Sequence, residues 1–519
     1  MEQFTGLFKN ATIGVLHGFD RIVFQGFLMP LMYAKGAMGF FDRRGILYKD
    51  AKLWVMRQTN RLASAVEEWA LKECGTGAIY LPSSNTRKEA LVRKRQEETG
   101  IQTGLIGVWS CVEAGGSYRI IPAKGKPALR WVYTRCKHLY LYMDHPTYGF
   151  MHIRIQTWFP YKIQIAMNGR EWLSRQLSKA GIGFQRNRNK FMAVDDFEQA
   201  QTLLNKQLDA NWPKVLSSFL PEAFPTMGET IGPDLTYTWT CWQSEWATDL
   251  IFRDQDALTR IMDGQVKHAF MTGNAGRLLR YFGRPVNKNG DPRSNFNGSI
   301  RTTVGHFGEG VRVRHWIDQN SVKLYNEYNT LRIESTINQP RAFLVHRRKQ
   351  GAEPTAPKQR LPLRKGVADL VLRAKVSQEV NNRFAEHLSS AQLTTPIKDI
   401  LLPIAQRRKT AGRTVRAMDP IGKDNAILNA VSDPKFTVAG FKNSDIRDLL
   451  RNQFPYDNKT EKQLSGIVTR LFRILRDHGL IRKLPKQHRY IITRKGRQIT
   501  TAIQVALAAS NQELMKLAA

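Results

Sequence analysis

Acidic residues are scarce in this sequence: 44 Asp and Glu stand against 79 Lys and Arg, a formal charge of +35 over 519 residues. That imbalance excludes a surface that repels polyanions and points to nucleic acid first, an anionic membrane second. Cysteine is scarcer still. Cys74, Cys111, Cys136 and Cys241 are the only four, none in a C-x-x-C pair, which argues against a disulfide framework or a structural zinc. No apolar run approaches 18 residues, so no membrane span is expected. Nor does any long basic helix pattern carry Trp and Phe on its opposite side, as membrane-surface helices do. The opening MEQFTGLFKN, with Glu2 and no long apolar core, is not expected to be a secretory signal. These absences predict a soluble, cytoplasmic protein. No internal repeat is visible. Apolar residues are plentiful (42%, with 10% aromatic), enough for packed cores in two to four domains and too many for a mainly disordered chain.

The positive charge is unevenly spread. Residues 341–519 hold 35 Lys and Arg against 14 Asp and Glu, a net +21, and residues 1–340 carry the other +14. Residues 346–365 combine Pro354, Pro357 and Pro362 with many cations and read as a basic linker. Helical spacing follows over 366–388, and 406–416 is a second basic stretch. Four regions result: an N-terminal α/β region, 1–145; a central α+β region with a β-meander, 146–345; a basic linker with helices, 346–422; and a C-terminal nucleic-acid-binding unit, 423–519. The expected fold class is α/β in the α+β sense and multidomain. Residues 11–28 read as two strands around a turn, and 51–73 as an amphipathic helix. Residues 131–143, 151–159 and 161–167 read as strands, 169–180 and 196–208 as helices, 184–194 as a hairpin or a strand, and 311–337 as a three-strand meander.

The carboxy-terminal unit has the clearest pattern. Two short helices, 423–431 and 442–450, precede a longer one over 460–478, whose stripe Leu464, Ile467, Val468, Leu471, Leu475 turns one face to a core. Gly479 closes that helix, and 480–484 and 489–493 return as a hairpin. The phrase LRDHGLIRKL…HRYIITRKG, with this order of elements, resembles the winged-helix domain family over about 80 residues. The resemblance implies that the third helix enters a major groove and the wing touches backbone or minor groove. Lys462, Gln463, Thr469, Arg470, Arg473 and Arg476 lie opposite the apolar stripe, and Lys486, His488, Arg489, Arg494 and Arg497 are assigned to the hairpin. Cations there supply phosphate affinity, and Arg or Gln at base edges supply sequence reading. Arg154, Lys162, Arg170 and Arg175, interleaved with Trp158, Phe159, Tyr161 and Trp172, form a second nucleic-acid-binding candidate. The same aromatics suit a core equally well.

In a chain this poor in acid, an acid in an apolar strand context stands out, because enzymes that cut or join phosphodiesters hold divalent metals between carboxylates. Asp20 in IGVLHGFDRIVFQG is one, either a metal ligand or a hairpin-turn aspartate. Glu245 and Asp249 in WQSEWATD share a face whether that segment is helix or strand. Glu334 in TLRIESTIN alternates outward with Arg332, as a ligand or as a strand salt bridge. Asp144, His145 and Glu113 are weaker candidates at strand ends. These acids would hold one or two Mg²⁺ if they approach within about 8 Å. The phrase SVKLYNEYNTLRIEST resembles a strand pair of phage and plasmid replication initiators, which implies a tyrosine nucleophile, Tyr325 or Tyr328. The sequence departs from that family at Glu327, where a lysine is usual, and in having His152-x-Arg154-x-Gln156 in place of a His-hydrophobic-His strand.

The phrases RIQTWFPYKIQIAMNGREWL, QSEWATD, SVKLYNEYNTLRIESTIN and RKGVADL are also similar to a family of large multicopy bacterial proteins without an assigned activity. That resemblance implies a mobile genetic element. The expected function is a metal-dependent endonuclease or strand-transfer enzyme acting on DNA, with or without structured RNA. The alternatives are a tyrosine nickase and a non-catalytic DNA- or RNA-binding regulator, in which the acids would be scattered.

Overall fold

The computed structural model describes residues 1–123, 127–308, 310–389, 397–410, 413–436, 440–451, 453–485 and 487–508. Strands β1 (Thr12–Leu28), β2 (Ile79–Tyr80), β3 (Gly104–Ile121), β4 (Ala128–His145), β5 (Gly149–Gln156) and β6 (Ile163–Asn168) come first in the chain. A small hairpin, β7 (Phe184–Asn187) with β8 (Lys190–Val194), precedes β9 (Tyr237–Phe252). The meander β10 (Ile300–Phe307), β11 (Gly310–Ile317), β12 (Asn320–Glu327) and β13 (Thr330–Ile337) follows. All but β7 and β8 join one eleven-stranded sheet in the order β10-β11-β12-β13-β9-β1-β6-β5-β4-β3-β2. The sheet crosses the boundary expected at 145/146, because β4 and β5 pair directly. The expected three-strand meander gains β10 as a fourth strand.

That order contains a repeat invisible in the sequence. Each half begins with a long strand, β1 or β9, and continues through helices into a four-stranded antiparallel meander. The last strand of each meander, β6 or β13, then pairs with the long strand that began it. β1 and β9 pair antiparallel along their whole lengths, so a pseudo-twofold axis runs between them. Asp20 and Glu245 are each the ninth residue of their strand and sit beside this axis.

β1 itself corrects the expectation of two strands around a turn. Gly14, Gly18 and Gly26, of a residue type that favours turns, each lie within one continuous strand. A Cβ there would come within 2.4 Å of the Phe197 ring, 2.6 Å of Leu204 and 2.6 Å of Trp239 respectively. The glycines admit close neighbours and do not reverse the chain.

One face of the sheet is apolar and is covered by two long helices. Leu62, Val66 and Ala70 of the helix Tyr48–Cys74 join Leu139, Leu141, Ile153 and Ile165 in one core. Val380, Phe384 and Leu388 of the helix Leu370–Leu388 join Leu324, Leu331 and Ile333 in another. Each such Leu, Val, Ile or Phe side chain contributes about 1.5–3 kcal/mol on burial. Arg373, fully buried in the second helix, ties it to the sheet by donating to Ser244 Oγ (2.7 Å) and the Cys241 carbonyl (2.7 Å).

The opposite face packs Leu16 of β1 and Trp109 and Tyr140 of β3 and β4 in smaller apolar clusters, and is polar around β9 and the β11–β13 strands. The registers Ser321↔Thr336↔Glu245, Lys323↔Glu334↔Ala247 and Tyr325↔Arg332↔Asp249 put these side chains on one side, since paired residues share a face. The next strand adds Arg312, Arg314 and Trp316 through Arg312↔Tyr325, Arg314↔Lys323 and Trp316↔Ser321.

Residues 346–365, expected as a linker, instead supply most of a hairpin, Leu344–Arg347 with Gln359–Pro362, and bury Leu363 completely. The carboxy-terminal unit follows the expected order: helices Asn425–Ser432, Asn443–Leu450 and Glu461–Asp477, then strands Ile481–Lys483 and Tyr490–Ile492. Thr460 and Gln463 form a capping box at the third helix. Its core includes Leu464, Val468, Leu471 and Leu475, but also Ile404 and Met418, so the unit begins before residue 423. A fourth helix, Arg494–Ala508, was not anticipated; it buries Ile499 and Ile503, one turn apart, against this core.

Candidate functional site

Three carboxylates from three different strands converge on the polar face. Asp20, Glu245 and Glu334 each offer an oxygen, and the three oxygens lie within 4.8 Å of one another. Oxygens sharing a six-coordinate cation at 2.0–2.6 Å stand about 3–5 Å apart, so the spacing suits a divalent ion. β1 delivers Asp20 through a bulge: the register shifts between Phe19↔Trp246 and Arg21↔Glu245, leaving Asp20 without a pairing partner. A bulge re-aims a side chain in this manner. β9 and β13 deliver Glu245 and Glu334 by simple alternation.

Cations hold two of the three acids. Lys323 Nζ lies 2.6 Å from Glu334 Oε1, and Arg332 Nη1 donates to Asp20 Oδ1 at 2.6 Å. Burial pushes the Asp20 carboxyl up, but Arg332 and Lys190 outweigh it and hold it below its ordinary range. Glu245 makes no hydrogen bond or ion pair among the described residues. Burial first, and the Glu334 charge second, push it up to about 7. A half-buried, unpartnered carboxylate beside two buried ones is the strongest sign that a cation belongs here.

Asp249, expected as a fourth ligand, has another role. It shares the face but is 1% exposed and paired with Arg332, through Nε and through Nη2 at 2.8 Å, and with Arg170 at 2.8 Å. Burial raises its pKa, yet these two guanidiniums overcome that and bring it down to about 2. Two arginines satisfy it, so it serves the ion-pair frame around the trio. Arg170 is corrected with it: fully buried, it is not available as a nucleic-acid contact.

Tyr325 joins the site. Its hydroxyl donates to Glu334 Oε2 at 2.8 Å, and burial followed by the Glu334 charge raises its pKa well above the usual value. The β7–β8 hairpin lies over it. Lys190 Nζ approaches the Tyr325 hydroxyl at 3.4 Å and Glu327 at 3.3 Å, and Asn189 donates from its side chain to Asp20. Tyr328 takes a left-handed turn conformation (φ 53°) between β12 and β13, outside both strands.

The weaker acids lie apart. Glu113 accepts from Tyr140 (2.7 Å) and Arg154 (2.6 Å) and pairs with Lys88 (3.4 Å). Asp144 pairs with Arg175, and the His145 ring accepts from the Thr147 amide (3.0 Å). Arg154 is therefore engaged, and Lys162 packs 4.5 Å over the Trp131 ring. Phe159 and Tyr161 belong to the core, 2% and 0% exposed, as the alternative reading of those aromatics had it.

In the carboxy-terminal unit Lys462, Thr469, Arg470, Arg473 and Arg476 line the exposed side of the third helix. Arg489 donates to the Gly440 carbonyl (3.0 Å), and Lys486 lies outside the described residues. Arg494 begins a helix and Arg497 pairs with Glu386 (2.8 Å), so neither belongs to the hairpin.

Lys323, Lys190, Asn189 and the clamping role of Arg332 escaped the sequence reading. Lys323 was findable, two residues before Tyr325 on the same alternation. Asn189 and Lys190 were not, because only the fold brings a hairpin tip onto a distant sheet face. No family model, curated protein or solved structure matches the chain.

Proposed function

We propose that this chain is a metal-dependent phosphodiester-cleaving or strand-transferring enzyme acting on nucleic acid. The observation that carries the reading is the meeting of Asp20, Glu245 and Glu334 within 4.8 Å on a sheet face that also bears Lys323, Arg312 and Arg314. A divalent cation held by the trio would polarise a phosphodiester and stabilise the departing oxygen. The neighbouring cations would orient the backbone by its phosphates. Mg²⁺ fits oxygen-only ligands, as do Mn²⁺ and Ca²⁺. The exposed cations of the third carboxy-terminal helix, and the resemblance of that unit to winged-helix domains, support nucleic acid as the partner. The resemblance to a multicopy bacterial family supports a mobile-element setting.

The test is cleavage of labelled DNA and RNA, single- and double-stranded, with Mg²⁺ or Mn²⁺. Asp20→Ala, Glu245→Ala and Glu334→Ala should each abolish cleavage while oligonucleotide affinity changes by no more than about threefold. Cleavage that survives Glu334→Ala would sink the proposal. One observation favours a second reading: the Tyr325 hydroxyl lies 2.8 Å from Glu334 beside the trio, where the charge of a bound cation would offset the burial and the Glu334 charge that oppose a phenolate nucleophile. A covalent protein–DNA adduct, lost on Tyr325→Phe, would decide for a tyrosine nickase. Partial cleavage retained by Tyr325→Phe without any adduct would leave Tyr325 orienting Glu334.

A further inference from the structure

A second charged feature lies on the other side of the sheet. The helix Ala275–Tyr281, the turn Pro340–Ala342 and the helix Leu370–Leu388 border a cavity of about 1040 Å³. Eight cationic side chains line it against one carboxylate, Glu379. Among them are Arg280, Arg284, Arg341, Arg360 and Arg383 from the sheet body and Lys435 from the carboxy-terminal unit.

The protein's own acids do not neutralise this wall. Glu379 is taken by Arg383 at 2.7 Å and Asp318 by Arg284 at 3.2 Å. Asp433 serves Lys435 at 3.5 Å and stands 4.0 Å from Arg280, beyond hydrogen-bond reach. Arg280 is only 12% exposed, and its Nε and Nη2 are buried with no acceptor among the described residues. Arg341 and Arg360 are exposed, with no ion pair among the described residues. Buried guanidinium donors without acceptors are costly, and mutual repulsion among the cations that these carboxylates leave unpaired adds to that cost. An anionic ligand with several phosphates removes both. A single small anion would satisfy one wall of so large a space. A chain of phosphates reaches both walls, and Leu344, 52% exposed among the cations, offers apolar surface to sugars or bases.

We propose that this basin grips the phosphodiester backbone of a nucleic-acid strand, between the sheet body and the carboxy-terminal unit. It adjoins the helix that covers the apolar face, so it is a separate site from the carboxylate trio. The proposal rests on the reading that the chain acts on nucleic acid, and it assigns that partner a holding site distinct from the metal site.

The experiment uses the full-length protein and fluorescein-labelled oligonucleotides, single- and double-stranded, by anisotropy across a salt series. Arg341→Glu/Arg360→Glu should weaken binding by at least about tenfold and flatten the log–log salt slope by about two or more. A matched control, Lys52→Glu/Arg57→Glu on the exposed side of the helix Tyr48–Cys74, should change affinity by less than about threefold. Arg280→Gln, which keeps side-chain bulk and loses charge, should fall between the two. Mn²⁺ binding, titrated in the same proteins, should be unchanged, so loss of the metal reading and loss of this one are told apart. Equal effects of the Arg341/Arg360 and Lys52/Arg57 pairs would overturn the proposal. It would also fall if the Arg341/Arg360 variant lost affinity for inorganic tripolyphosphate but not for the oligonucleotides, since the basin would then be a small-polyphosphate site. A wild-type chain that binds no oligonucleotide at 50 mM salt would overturn both this proposal and the nucleic-acid reading.

Discussion

Glu245 is the residue on which the trio turns. Its carboxyl titrates near pH 7 because burial and Glu334 disfavour its charge, and a bound cation would favour that charge. Metal binding must therefore displace a proton from wild-type protein below neutrality. The apparent Mn²⁺ affinity should rise about tenfold from pH 6 to pH 8, with close to one proton released per ion at pH 6. Calorimetry in buffers of different ionisation enthalpy measures this, and a pH-independent affinity would remove Glu245 from the site. The metal-free protein should behave oppositely. The folded pKa lies above the unfolded value near 4.5, so the folded state gains from proton binding below pH 4.5 and loses that gain as pH rises through 7. The loss is at most about 3 kcal/mol, and Glu245→Gln should abolish this slope in urea titrations at pH 5 and pH 8. The sequence made Glu245 legible, because an acid between Trp242 and Trp246 stands out in an acid-poor chain. It did not separate Glu245 from Asp249, which has the same alternation. The difference is Arg170, which comes from a helix 79 residues upstream of Asp249.

At the scale of elements, Arg332 is the clamp. From β13 it reaches Asp249 on β9, Asp20 on β1 and, through Nη2 at 3.0 Å, the Asn189 carbonyl at the β7–β8 tip. One planar fork thus joins three strands and a hairpin, a task that a lysine point charge cannot perform. Arg332→Leu should destabilise the fold by about 3–5 kcal/mol, because it strands two buried carboxylates. Arg332→Lys should recover little of this, and Arg332→Leu/Asp249→Leu much more, by denaturant titration. Equal stability of Arg332→Lys and wild type would refute the clamp. Strand and helix positions were largely readable, since hydrophobic alternation and the 3.6-residue period are local. The 17-residue β1 was not, because glycine signals a turn by conformational freedom and here is present for close packing. The bulge at Asp20 was equally hidden, as it depends on the partner strand.

At the scale of the whole molecule, two sheet halves with one order of elements meet along β1 and β9, and the two acids at the ninth position of each strand face one another across that seam. Only the second half adds a third carboxylate, since β6 (IQIAMN) contains no acid. The sequence hid this repeat because the halves share topology and not residues. The charge asymmetry, by contrast, was legible and has a structural counterpart. The core of the carboxy-terminal unit, with Leu464, Val468, Ile481 and Ile503, is its own, while among the described residues its charged contacts with the body include the Glu386–Arg497 ion pair and a longer, 4.0 Å approach of Arg280 to Asp433. Residues 390–519 carry a net +14 of the total charge. A chain ending at residue 389 keeps all eleven sheet strands, both covering helices and the complete trio, so it should bind Mn²⁺ within about threefold of full length, each acid ligand being unchanged. Its oligonucleotide affinity should fall by at least about a hundredfold at 100 mM salt, with a shallower salt slope, because the exposed cations of the third helix are gone. Truncated protein that held nucleic acid as tightly as full length would move the binding role onto the sheet body, and one that lost Mn²⁺ as well would show that the carboxy-terminal unit supports the trio from a distance.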